Sequence, residues 1–519
     1  LYAVSNLGSL VALLSYPVLI EPYLPVTTQL VLWSAGFVLF AAGCVLCGVL
    51  SWRRASPDPE RHERPSMADV ATWFALAAVP SVLWLAVGNQ ISQDVAAVPF
   101  LWIVPLALYL LTFVLCFDGD GWYRRSWMRW ILPLAWAAMV AVVSQQGYLN
   151  IKLIVPALMS GLFICCFFCH GELARLKPDP RLLTAYYLVI SAGGACGGLF
   201  VGLLAPRIFN DYLELPFGIL ACVLLALWLL YGLASKRVAR IGFVSAAAAL
   251  ASVFVDPKAG DGLRLRNFYG AIRTADTGEG EFRQRALFNG SIQHGLQFTR
   301  KDRSAIPTSY YGRASGAAIA LKTLQERGPV RVGVVGLGVG TMAAYARKGD
   351  HFEFYEINPA VVDIARERFL YLRETAGTVE VHGGDARLTM SSQQPRDFDL
   401  LIIDAFSGDS IPVHLLTREA FAEYFRHLSP RGAIAVHTTN KHLELEPVVH
   451  LTAGAHQAAS ILIHNSREPV SGIYVSSWVI VTRDKELQSQ LAHLSSPIPR
   501  NDNLRPWTDD FSNLLTIIR

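Results

Sequence analysis

The chain has 519 residues, 52% hydrophobic and only 17% charged, against about 25% charged in a soluble globular protein. Its formal charge of +4 is small and its basic residues form no continuous patch, which excludes a nucleic-acid-binding face and leaves no nucleic-acid partner. Long apolar blocks fill the sequence before residue 255, and polar residues return after it; that shift is the main domain boundary.

A membrane-spanning helix needs about 20 mostly apolar residues. The amino-terminal half supplies candidates at roughly 3–20, 28–51, 69–88, 96–117, 129–145, 151–169, 183–205 and 214–234. A ninth run, 241–255, reaches only about 22 Å at 1.5 Å per residue, short of the ~30 Å hydrocarbon core. Basic residues collect in alternate loops: Arg53, Arg54, Arg61 and Arg64; Arg124 and Arg125; Arg175, Lys177 and Arg181; Lys236, Arg237 and Arg240. Such loops face the cytoplasm. If 241–255 crosses the bilayer, the carboxyl-terminal domain lies outside; if it rests at the interface, the domain is cytoplasmic. We read 1–255 as a transmembrane domain of eight spans, in contact with a lipid bilayer, with a cytoplasmic soluble domain behind it. The sequence opens at Leu1 without a charged leader, so we read an internal start and no signal peptide.

Gly193, Gly194, Gly197 and Gly198 place small residues at helical spacing, as close helix packing needs. Asp94 and Glu172 sit near span ends and are expected in solvent. All eight cysteines lie in this half. Cys166 and Cys169 have Cys-x-x-Cys spacing with His170 beside them, a pattern open to a metal; we read soft residues packing between helices, and no metal site.

Past residue 262 the pattern changes. Residues 330–335 form a short apolar strand, Gly336, Gly338 and Gly340 follow as GxGxG, and Thr341 to Arg347 read as a helix. Glycines there allow a tight turn and the approach of a ligand to the backbone. A second strand, from His351, ends at Glu356, 20 residues after Gly336, where an acid accepts hydrogen bonds from ribose hydroxyls. Asn358 and Pro359 open a helix. A third strand, Thr378 to His382, leads into Gly383-Gly-Asp-Ala, which carries Asp385 and Ala386; a fourth, from Phe398, ends at Asp404. Strands alternating with helices, with polar residues at strand carboxyl ends, are the doubly wound α/β pattern. No phosphate-binding Lys follows the glycine loop, so a P-loop is excluded. An adenosine sulfonium ligand suits the combination.

On these motifs the stretch from about 262 to 519 resembles the spermidine synthase (polyamine aminopropyltransferase) family, and the whole chain resembles the membrane-fused spermidine synthase-like proteins of bacteria. The carrying segments are Asn267-Phe-Tyr-Gly, Phe288-Asn-Gly-Ser-Ile-Gln-His-Gly, Thr308-Ser-Tyr-Tyr-Gly, the GxGxG loop, Tyr355-Glu-Ile-Asn-Pro, Gly384-Asp-Ala and Asp404-Ala-Phe-Ser-Gly-Asp. The resemblance implies a small β-rich domain at 262–312 ahead of a Rossmann-like domain at 313–519. It further implies an inner-membrane enzyme that uses decarboxylated S-adenosylmethionine, or S-adenosylmethionine itself, as co-substrate with no other cofactor. The products are methylthioadenosine and an aminopropylated small-molecule amine, and a homodimer is implied. By resemblance Glu356 holds the ribose, Asp385 the adenine end and Gln293 the thioadenosine part. Tyr310 or Tyr311 lines the amine channel, Asp404 deprotonates the amine, and Asp409 is close enough to share that site.

Two departures fall on the acceptor side. Val339 stands where the family has an acid in the glycine loop, and the segment after Asp404 is longer than the family's. Thr508-Asp-Asp, beside Trp507, resembles family tails that close the site. The competing readings are cleavage or cyclisation of the sulfonium compound without acceptor, a methyltransferase on the same clamp, and a transporter or sensor gated by a nucleoside.

Overall fold

A computed structural model describes residues 2–52, 65–94, 99–119, 121–144, 151–231, 262–290, 292–406, 411–468 and 471–519. The run 241–255, Asp409 and the basic residues Arg53, Arg54, Arg61, Arg64, Lys236, Arg237 and Arg240 lie outside them. The helices up to Tyr231 belong to one compact unit and the residues from Gly262 on to another.

The first unit is helical because its sequence is apolar over helix-length runs. Among the described residues seven helical stretches are long and apolar enough to cross a membrane: Ala3–Ile20, Val26–Ser51, Met67–Ser92, Arg125–Ser144, Lys152–Arg175, Pro180–Ile208 and Glu214–Tyr231. The fourth expected run, 96–117, holds a shorter apolar helix, Ile103–Asp118. Gly193 and Gly197 let one helix ride against another: a Cβ on them would lie 2.5 Å from the Phe74 carbonyl oxygen and 2.6 Å from that of Ala78.

One expectation is overturned here. Glu172 is not in solvent but fully buried, accepting hydrogen bonds from Tyr123 Oη at 2.6 Å and Arg125 Nε at 2.7 Å. A buried carboxylate persists only with such partners, and Arg125 reaches it because the helices Arg125–Ser144 and Ile151–Arg175 pack together. The cysteines Cys165, Cys166, Cys169 and Cys222 are buried as free thiols. His170 turns instead to Thr112, with Nδ1 2.9 Å from its Oγ1, and stacks on Phe113.

The second unit holds two sheets. Strands β1 (Arg264–Asn267), β2 (Gly270–Thr277), β3 (Gln284–Asn289) and β4 (Ile292–Phe298) form an antiparallel meander. The larger sheet has β5 (Arg331–Val335), β6 (His351–Glu356), β7 (Thr378–Gly383), β8 (Phe398–Ile403), β9 (Leu428–His437), β10 (Ala459–Asn465) and β11 (Ser476–Thr482), in the order β10-β11-β9-β8-β5-β6-β7. Strands β5 to β9 run parallel, and β11 is antiparallel to both β9 and β10. The central parallel strands β5 and β8 read as nearly continuous apolar runs because both faces are covered; Leu400, Leu401, Ile402 and Ile403 are all inaccessible to solvent. This is a Rossmann-like mixed sheet. Its order reverses between β5 and β8, which opens a crevice at their carboxyl ends.

The helix expected over Thr341–Arg347 is instead a 3₁₀ turn, Thr341–Tyr345. Only residues 336–350 connect β5 to β6, and the glycine loop consumes the first five of them. Asp350 closes the remainder into a turn, accepting from the amides of Arg347 (2.8 Å) and Val330 (3.0 Å).

Candidate functional site

A cavity of about 370 Å³ opens over the carboxyl ends of β5, β6, β7 and β8, and the small sheet contributes Phe268, Tyr269, Leu287 and His294 to its walls. Gly336, Gly338, Glu356, Asp385, Ala386, Asp404, Tyr310 and Tyr311 all line it. Gly340 and Gln293 do not: Gly340 packs against Leu372, and the Gln293 amide donates to Tyr474 Oη at 3.0 Å.

The glycine loop is shaped by positive φ angles and by two close backbone approaches. Gly336 has φ +98°, and a Cβ there would lie 2.5 Å from the Asp404 carbonyl oxygen. Gly338 has φ +53°, with the His294 carbonyl oxygen 2.8 Å from where its Cβ would stand. The loop thus draws the ends of β5, β8 and β4 together, at a density that admits no side chain.

Glu356 closes β6. Its carboxylate accepts from the amide of Leu337 in the loop (3.0 Å) and from that of Asn358 (2.9 Å). Burial pushes this carboxyl above the usual glutamate value, and those amides pull it back. Asn358 caps the helix Pro359–Arg368 and also accepts from Asn267 Nδ2 at 2.6 Å, tying the turn between β1 and β2 to the cavity wall. Asp385 caps the helix Ala386–Ser392 through the Leu388 amide (2.9 Å), and His414 Nε2 lies 3.4 Å from its second oxygen. Both acids thus have local structural duties, yet each faces the cavity.

Asp404 follows β8 and its side chain is 5% exposed. Tyr311 Oη donates to its Oδ2, and His437 Nδ1 lies 2.6 Å from its Oδ1. Burial and the adjacent Asp404 carboxylate both raise the Tyr310 and Tyr311 phenols, so these stay protonated donors at neutral pH. The His294 imidazole is driven the other way by burial, and among the described residues its buried Nε2 has no hydrogen-bond partner. Ser309, just before the tyrosine pair, is buried with φ +57°; strained backbone of this kind gathers at functional sites.

Val339 is buried against Ile272 and Leu287, so an apolar contact with the small sheet occupies the loop position where the resemblance led us to expect an acid. The carboxyl-terminal tail does not line the cavity. Trp507 is buried, and Asp509 accepts from Arg387 (2.7 and 2.5 Å) and Thr417 (2.8 Å).

Two residues beside the candidate base were missed in the sequence, His437 and His294. The signal for His437 was present, since it ends an apolar strand as Asp404 does.

No family model matches the chain. A segment of 115 residues is 35% identical to a polyamine aminopropyltransferase of Vibrio vulnificus (strain CMCP6). Over that stretch the chain is spermidine synthase-like. The match covers 21% of this chain and spans only 38% of the curated relative. Among solved structures, a probable spermidine synthase from Corynebacterium glutamicum ATCC 13032 aligns at TM-score 0.34 and 14% identity, over 47% of this chain and 98% of that one. Spermidine synthase from Thermotoga maritima aligns at 0.29 and 11%, over 47% and 80%. A putative O-methyltransferase from Klebsiella pneumoniae aligns at 0.24 and 16%, over 32% and 78%.

Proposed function

We propose that this chain is a membrane-anchored, aminopropyltransferase-like transferase. The observation that carries the reading is Asp404, a buried carboxylate at the end of a parallel strand that shares one cavity with Glu356, Asp385 and the glycine loop. In this reading the nucleoside of decarboxylated S-adenosylmethionine, or of S-adenosylmethionine, lies over the loop with its ribose on Glu356 and its adenine end toward Asp385. Asp404 accepts a proton from the acceptor ammonium. The freed nitrogen lone pair attacks the carbon beside the sulfonium, the carbon–sulfur bond breaks, and its electron pair returns to sulfur, releasing neutral methylthioadenosine. Tyr311 holds the carboxylate toward the reacting centre.

The anchoring reading rests on the seven long apolar helices. The alternate-loop positive charge supports a bacterial inner-membrane protein with a cytoplasmic second unit. A homodimer is part of the proposal. A second reading, cleavage or cyclisation of the sulfonium compound without acceptor, is favoured by Val339, which puts a buried methyl pair where the family's loop has an acid.

The test is incubation of the purified full chain with either sulfonium compound, with and without diamines, followed by mass spectrometry. Methylthioadenosine is expected together with an aminopropylated amine from the decarboxylated compound, or an aminocarboxypropylated amine from S-adenosylmethionine. S-adenosylhomocysteine as product overturns the proposal in favour of a methyltransferase, and methylthioadenosine without amine product favours the second reading.

A further inference from the structure

We propose that His437 is a positioning residue for Asp404, holding that carboxylate aimed at the acceptor nitrogen; this rests on the functional reading above. The pairing is built by the sheet. Ile403 of β8 is in register with Val436 of β9, so the next residues, Asp404 and His437, emerge side by side at the cavity end. His437 Nδ1 lies 2.6 Å from Asp404 Oδ1.

The hydrogen-bond network suits one tautomer. Thr439 Oγ1 accepts from the Ser477 amide at 2.8 Å and can give its own hydrogen to His437 Nε2, also 2.8 Å away. The ring hydrogen is then on Nδ1, pointing at Asp404. The ring cannot turn: Tyr310 stacks on one side at 4.5 Å and Trp478 at 4.6 Å, and Phe406 meets it edge-on at 5.0 Å. A donor so fixed holds Asp404 Oδ1 in place and leaves its second oxygen to Tyr311 and the incoming amine. Among the described residues, the other titratable groups facing this pair are Tyr310, Tyr311 and His294.

The experiment compares His437→Asn, His437→Gln and His437→Ala in the full chain. An Asn amide nitrogen reproduces Nδ1, whereas Gln reproduces Nε2. With Ala and Gln, kcat should fall about ten- to a hundred-fold with KM for the sulfonium compound unchanged. Asn should restore kcat to near wild type. An unchanged kcat with Ala and Gln, a loss carried by KM, or equal losses in all three variants overturns the proposal. If the wild-type protein releases no methylthioadenosine, the functional reading fails on its own. A thermal-unfolding cycle over Asp404→Asn and His437→Ala then decides the contact: coupled losses support it, and additive losses refute it.

Discussion

Replacing Gly336 by Ala tests whether the glycine loop is shaped by the strand beside it. The new Cβ has two costs. It must adopt φ +98°, a region sparsely open to L residues, at about 1–3 kcal/mol. It also stands 2.5 Å from the Asp404 carbonyl oxygen and 2.9 Å from its carbon, backbone atoms that cannot swing away; overpacking of that kind costs about 1–3 kcal/mol. Together these amount to roughly 2–6 kcal/mol, a large share of the ~5–15 kcal/mol that holds a domain folded. At ~2–4 °C per kcal/mol for a domain of this size, the Tm should drop by roughly 4–24 °C. Relief by shifting the end of β8 displaces Asp404, so methylthioadenosine should also lose its stabilising effect. Gly454→Ala is the control: it lies in the helix Glu446–Ala455 with nothing within 4 Å of its Cβ, and Ala there should be neutral or stabilising by up to ~1 kcal/mol. Differential scanning fluorimetry with and without methylthioadenosine reads all of this. A Gly336→Ala protein with wild-type Tm and wild-type ligand shift refutes the reasoning.

Asp404→Asn should lower methylthioadenosine release about 10²- to 10⁴-fold while nucleoside binding stays within roughly threefold; turnover near wild type removes Asp404 as the base. Glu356→Gln should change how stability depends on pH. Burial raises the Glu356 carboxyl, so the folded state keeps the proton longer than the unfolded one. Stability from this group therefore falls as pH climbs from the ordinary glutamate value, about 4.3, through the raised folded one. Gln should abolish that slope in Tm against pH and also weaken nucleoside binding; parallel curves for the two proteins count against it. Arg387→Ala removes the partner that holds the Asp509 carboxyl below its usual range, so the lost stability is present above the ordinary aspartate value and vanishes as pH falls through the depressed one. Asp509 is 45% exposed, which limits the cost to about 0.5–1 kcal/mol. Methylthioadenosine affinity should be unchanged, because neither residue lines the cavity; a weakened affinity restores the tail to the site.

The sequence by itself determined what depends on neighbours along the chain. Apolar runs of helix length marked the first unit. Short apolar strands ending in polar residues marked β5 to β8, and positive-φ glycines marked the loop, because strand ends, turns and caps are set within a few residues. Glu356, Asp385 and Asp404 were found that way. Tertiary structure decided what depends on which elements become neighbours. The shortness of the 336–350 connection, closed by Asp350, replaced a helix with a 3₁₀ turn. Arg125 met Glu172 only through packing of two helices. Gln293 turned to Tyr474 in place of the cavity. His437, 33 residues beyond Asp404, reached it because β9 lies beside β8 in parallel register. A carboxylate's place in a strand is local information, whereas the partners that fix its direction come from the order of strands in the sheet.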